Sequence, residues 1–125
     1  MMAPMVAALS DEDVSNISAY YASLEGALGT STFEHVDAGK KLYQAGNATT
    51  GLAACMACHG PSGRGNPAAK YASLTGQFSE YTATQLKAFK SETRTNDDNG
   101  VMRNIAAKMT IDEIEAVADY IEGLH

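Results

Sequence analysis

The sequence predicts an all-α fold. Three observations carry this: apolar residues recur at helical spacing in several segments, a capping box opens the last of them, and no run has the Val/Ile-rich character of a buried strand. With 125 residues, the chain has enough apolar material for one compact core but not for two.

The elements follow in order from residue 37. Asp37 is placed to cap a short helix with Ala38, Leu42, Tyr43 and Ala45 as its apolar positions, and Gly46 stands where it would stop. Residues 60–78, GPSGRGNPAAKYASLTGQF, are rich in Gly, Pro, Ser and Asn and read as irregular backbone. From Ser79 the segment SEYTATQLKAFKSE is helical, with Thr82, Leu86 and Phe89 on one face and Lys87, Lys90 and Glu92 mostly on the other; residues 94–100 end it. Thr110 and Glu113 make the capping box of the last helix, whose stripe is Ile114, Val117, Ala118, Ile121 and Leu124. Its acids, Asp112, Glu115, Asp119 and Glu122, are expected to form a solvated face.

Charge narrows the function. The net charge of -6 argues against nucleic acid, which demands a basic patch, and the whole excess lies in residues 1–37, where six acids meet no Lys or Arg. No apolar run approaches the length of a membrane span, and the N-terminal MMAPMVAAL lacks the basic and apolar regions of a signal peptide, so an export signal is expected to have been lost already.

Chemistry concentrates in Cys55-Met56-Ala57-Cys58-His59. A tetrahedral zinc site needs four ligands, and beyond this cluster there are only His35 and His125 at no recognised spacing, each read as a surface side chain. A thioredoxin-like dithiol would follow a buried strand, which is missing. Haem attachment explains the whole motif: two thiols add to the vinyl groups on one porphyrin edge while the adjacent imidazole reaches the iron. Met56 is an intervening residue with no special role.

Sliding the chain against itself by 100 residues shows a repeat. MMAPMVAALSDEDVSNISAYYASL lies over VMRNIAAKMTIDEIEAVADYIEGL without a gap, placing Met2 on Met102, Leu9 on Met109, Ser10 on Thr110, Asp13 on Glu113, Tyr20 on Tyr120 and Leu24 on Leu124. Each copy reads as a methionine, a short turn and a capped amphipathic helix. No CxxCH precedes the first copy, so residues 1–24 are expected to be the C-terminal helix segment of a truncated first domain, 25–36 a linker and 37–125 a complete haem domain. In that reading Met2 is a ligand of a first haem that is missing here or held in trans by another copy.

The stretches GKKLYQAGN, CMACHGPSGRGNP, LTGQFSEYTATQLKAFK, RTNDDNGVMRNIAAKM and ADYIEGLH together resemble the di-haem cytochrome c4 family, tandem class I cytochrome c domains of the bacterial periplasm. The resemblance spans the whole chain and implies a class I cytochrome c fold preceded by a helix of another such domain. It makes Cys55 and Cys58 the thioether residues, His59 the proximal iron ligand and Met102 the distal one, for one haem c in this chain and two in the full protein. A low-spin carrier needs a sixth ligand, and Met102 and Met109 are the only methionines after the attachment motif; Met109, aligned with Leu9, reads as core. The family usually has Pro where Ala72 stands, two residues before Leu74, and that region accepts a hydrogen bond from the proximal imidazole. Ala72 keeps its carbonyl, so the bond is expected to survive.

With both axial positions filled, no site is open for substrate, and the expected role is a non-enzymatic electron carrier of positive potential. The resemblance implies a periplasmic location, a respiratory donor and a terminal haem-copper oxidase as acceptor. Two alternatives stand beside it: a cytochrome subunit of a larger periplasmic dehydrogenase, and a haem-based sensor in which Met102 dissociates for a small ligand.

Overall fold

The computed structural model describes residues 2–26, 28–32 and 35–125, and among these it contains seven α-helices and no strand. The expected linker at 25–36 includes residues 27, 33 and 34, which lie outside the described residues. The helices are α1 (Met2–Val6), α2 (Asp11–Ser23), α3 (Val36–Ala45), α4 (Met56–His59), α5 (Ser79–Lys90), α6 (Val101–Ala107) and α7 (Ile111–Glu122). None of the helices among the described residues is long and apolar enough to cross a membrane.

Helix α7 is the spine. Its stripe of Ile114, Val117, Ala118, Ile121 and Leu124 is buried as expected, and it packs α3 on one side and α5 on the other, with α6 lying against α5. Leu42, Tyr43, Leu52 and Met109 complete the core, which confirms Met109 as a packing residue. Helix α3 crosses α7 at Gly39. A methyl there would sit 2.1 Å from the Ala116 carbonyl oxygen, so only glycine lets the two backbones meet. One turn later the Tyr43 ring rests 5.5 Å from that of Tyr120.

Several local expectations need correction. Asp37 does not cap α3; the helix starts at Val36 after His35, which makes no side-chain cap bond, and Asp37 sits within the first turn, where its charge favours the helix dipole. Ala38 and Ala45 are exposed, since the buried face of α3 is Gly39, Leu42 and Tyr43. The acids of α7 are not all solvated. Asp119 is buried because the segment before α3 runs over it, and its Oδ1 accepts the Thr32 N–H at 2.8 Å. Glu122 Oε2 accepts the Ser79 N–H at 3.0 Å and so caps α5 from outside, where Phe78 makes no side-chain bond. Glu115 pairs with Lys87 at the surface.

The repeat has a structural counterpart with one correction: the turn after each methionine is a short helix. Helices α1 and α2 mirror α6 and α7, and Ser10 with Asp13 forms the same reciprocal capping box as Thr110 with Glu113. Their environments differ completely. No residue of α1 or α2 is buried, and Val14, Ile17, Tyr21 and Leu24 lie exposed.

Glu113 does two jobs, accepting the Thr110 N–H and the Asn47 amide, both at 2.8 Å. These bonds, the Thr110 backbone bond first, hold its carboxyl below the ordinary 4.5. Its stabilising effect is therefore complete above about pH 4.5 and is lost as pH falls through the lower folded-state value. Glu113→Ala is expected to cost about 1 kcal/mol at neutral pH, and its difference from the parent in chemical denaturation should shrink below pH 4.5. A pH-independent difference would contradict this account.

Candidate functional site

The Cys55–His59 segment is wound into one turn by backbone bonds from the Cys58 and His59 amides to the Cys55 carbonyl, at 3.2 and 3.0 Å. Winding carries the two thiols and the imidazole on one turn of a single short element. Both cysteines are half-buried and form no disulfide. Burial pushes the Cys55 thiol up to about 11, so Cys55 is not poised as the low-pKa nucleophile of a dithiol oxidoreductase.

Tyr43 ties this turn to the core. Its ring is fully buried and its hydroxyl donates to the Gly60 carbonyl at 2.7 Å, directly after His59. Burial, then the neighbouring Cys55 and Tyr120, raises the Tyr43 hydroxyl to about 12, which keeps it a neutral donor.

The Gly/Pro-rich stretch then folds back upon the imidazole. Asn66 and Tyr71 exchange backbone bonds around the short 3-10 turn Pro67–Ala69, and the Gly65 amide donates to the His59 carbonyl at 2.8 Å. Gly65 has φ +71, and a methyl there would meet the Tyr71 and Ala72 carbonyls at 2.4 and 2.7 Å. Because that space is free, the Ala72 carbonyl oxygen reaches 2.8 Å from His59 Nδ1, the bond expected of this position. Holding Nδ1 as the donor leaves Nε2 as the nitrogen lone pair available to a metal.

On the other side of the sequence, Met102 sits half-buried in the first turn of α6, close to the partly buried Ile105 that packs on the core. Met2, its counterpart in the first copy, is on exposed α1. His35 and His125 are exposed, as expected of surface side chains. Among the described residues no three His, Cys, Asp or Glu side chains gather as ion ligands. The donor set fits haem c: two uncommitted thiols, one imidazole oriented by its Nδ1 bond and one thioether, with Cys55, Leu74, Leu86 and Ile105 all packed against the same apolar core.

The sequence reading missed Asp97, whose carboxylate accepts the Arg103 backbone N–H at 3.0 Å and its Nε–H at 2.9 Å. Burial alone would raise this carboxyl, but the bonds from Arg103 outweigh it and hold the group below the ordinary carboxylate range. A signal was present in the run Asn96-Asp97-Asp98-Asn99-Gly100 ahead of a helix, a stretch rich in capping residues.

Fold and turn together define a small helical domain that holds one covalently attached haem. The comparisons with known proteins agree. The family model for cytochrome c matches residues 36–125, and the chain belongs to the cytochrome c family. It is 42% identical to cytochrome c4 of Azotobacter vinelandii, over 99% of this chain and 60% of that protein. The crystal structure of reduced recombinant cytochrome c4 from Pseudomonas stutzeri superposes with a TM-score of 0.93 at 43% identity, over 97% of this chain and 64% of that one. A thiosulfate dehydrogenase electron acceptor of Stutzerimonas stutzeri is 37% identical over 99% of this chain and 58% of that protein. The chain thus spans about 60% of the length of the cytochrome c4 relatives it matches.

Gly65→Ala tests the loop that orients the imidazole. The added methyl is expected to displace the Ala72 carbonyl, cost about 2 kcal/mol of stability and raise the reduction potential, because an imidazole with a weaker Nδ1–H acceptor is a less basic ligand. An unchanged potential in a redox titration would show that this bond does not tune the site.

Proposed function

We propose that this chain carries electrons one at a time through a haem held by Cys55, Cys58, His59 and Met102. The observation that carries the reading is the geometry of the attachment turn: two free thiols share one turn with an imidazole whose Nδ1 is already bonded to Ala72, so its Nε2 is left to hold iron. When haem is bound, Cys55 and Cys58 would hold it as thioethers, and His59 and Met102 would hold the iron. The bound haem supplies a ferrous/ferric couple of one electron. The residues around it shut out other chemistry: with His59 and Met102 on the iron, no position remains for a substrate, so the domain is a carrier and not an enzyme. The attachment turn is seated on an apolar core, against which Cys55, Leu74, Leu86 and Ile105 pack; such surroundings would disfavour the extra positive charge of the ferric state and raise the potential. Bound beside Cys55 and Cys58, the haem would exchange electrons with partners through small docking surfaces that release quickly.

The tandem arrangement belongs to the same proposal. Residues 1–24 are the closing helix segment of a preceding cytochrome c domain, 25–36 the linker and 37–125 the complete haem domain. Met2 serves a first haem, so the full protein holds two. The matching capping boxes of α2 and α7 and the exposed apolar side chains of α2 support this. The family's periplasmic setting is assigned to the chain on its similarity to the cytochrome c4 proteins. A respiratory donor and a terminal haem-copper oxidase are the proposed partners. A second reading, service to a dehydrogenase, is favoured by the relative named as a thiosulfate dehydrogenase electron acceptor.

Replacing Met102 tests the ligand set. Met102→His is expected to remove the weak red absorption band of methionine-bound ferric haem and to lower the potential by on the order of 0.1 V or more, within the roughly 0.8 V that axial ligands span. Retention of the band and the potential would assign the distal position to another residue. Carbon monoxide separates the carrier from the sensor: little spectral change is expected in the parent, and prompt binding would favour the sensor.

A further inference from the structure

Helix α6 carries Met102 in its first turn but begins on a residue that cannot cap it. Gly100 occupies the N-cap with φ +66, directly after Asn99 at φ +55, and makes no side-chain bond to the helix. The amide of Arg103, one residue beyond Met102, would therefore be one of the unpaired donors of a helix start. It is paired from outside. Asp97 Oδ2 accepts that amide at 3.0 Å while Oδ1 accepts the Arg103 Nε–H at 2.9 Å, and the Asp97 carbonyl accepts the Gly100 N–H at 3.2 Å. The Asp97 side chain is only 5% exposed, unlike the ordinary surface pair Lys70 and Asp98, whose side chains are 81% and 75% exposed. The far end of α6 is held as well, by Lys90 Nζ donating to the carbonyls of Ala107 and Met109 at 3.0 and 2.8 Å.

We propose that Asp97 is the positioning residue for the distal ligand: its bidentate grip on Arg103 fixes the first turn of α6 and thereby sets how readily Met102 yields the iron to a competing ligand. This rests on the assignment of Met102 as that ligand. A partly buried charge-assisted pair holding one turn of backbone contributes enough to shift a ligand-exchange equilibrium by about tenfold. Arg103 is the responding half of the clamp, and Asp98, one residue along, plays no part in it.

Imidazole titration of the ferric, haem-loaded protein provides the test, followed by loss of the methionine-bound absorption band, with far-UV circular dichroism reporting global unfolding separately. Asp97→Ala is expected to bind imidazole about tenfold more tightly than the parent. Arg103→Ala, which keeps the carboxylate on the backbone amide, should show a smaller increase, and Asp98→Ala should match the parent. If Asp97→Ala fails to retain haem, Asp97→Asn and Arg103→Ala carry the test with the same ordering. Parent-like imidazole affinity in both the Asp97 and Arg103 variants would overturn the proposal, as would a lowered unfolding midpoint with no change in affinity. Met102→Leu distinguishes the two readings: if it keeps the band, the ligand assignment itself fails, whereas if it loses the band while the Asp97 variants behave as the parent, only the clamp is refuted.

Discussion

The close approach of Gly39 to the Ala116 carbonyl is the constraint on which the site depends. Two helices distant in sequence touch backbone to backbone there, which only a residue without a Cβ allows. That approach brings Tyr43 against Tyr120 and buries it, and the buried hydroxyl has the Gly60 carbonyl as its acceptor. Gly60 follows His59, so the crossing of α3 and α7 locates the attachment turn. A polar group sealed in the core must find its partner, and here that requirement couples the helix crossing to the chemistry.

The two sides of the site are held by different means. On the histidine side, backbone does the holding: a loop folded on itself through Asn66 and Tyr71 presents a carbonyl to Nδ1, and Gly65 leaves room for it. On the methionine side, side chains do it, with the Asp97 carboxylate at one end of α6 and the Lys90 ammonium at the other. Rigid backbone suits a ligand attached to the same turn as both thiols. Met102 arrives from a separate short helix that packs on α5 and is held at its two ends by charged groups.

Much of this was legible in the sequence, where the information is local. The attachment motif, the Thr110 and Glu113 capping box, the buried stripe of α7 and the core role of Met109 follow from spacing within one element. What spacing missed depends on partners far along the chain. Asp119 shares a helix face with solvated acids, and nothing in α7 indicates that the Thr32 amide will cover it. The short helix that carries Met102 reads as a turn in the sequence, since its start lacks a side-chain cap of its own; the cap comes from Asp97, outside the helix. Asp37 has the residue type of a cap, yet it is the second residue of the helix, two positions past His35 at the cap. The bond between His59 and Ala72 came from family resemblance and was not visible in the residues alone.

The most direct test of this chain of dependence is the stability of the haem-loaded Gly39→Ala variant, followed in denaturant through the methionine-bound ferric band and far-UV circular dichroism together. The account predicts that forcing α3 from α7 costs on the order of 2 kcal/mol or more and that band and helix are lost at correspondingly lower denaturant. Stability within about 0.5 kcal/mol of the parent, with the band intact, would show that the site does not depend on the crossing.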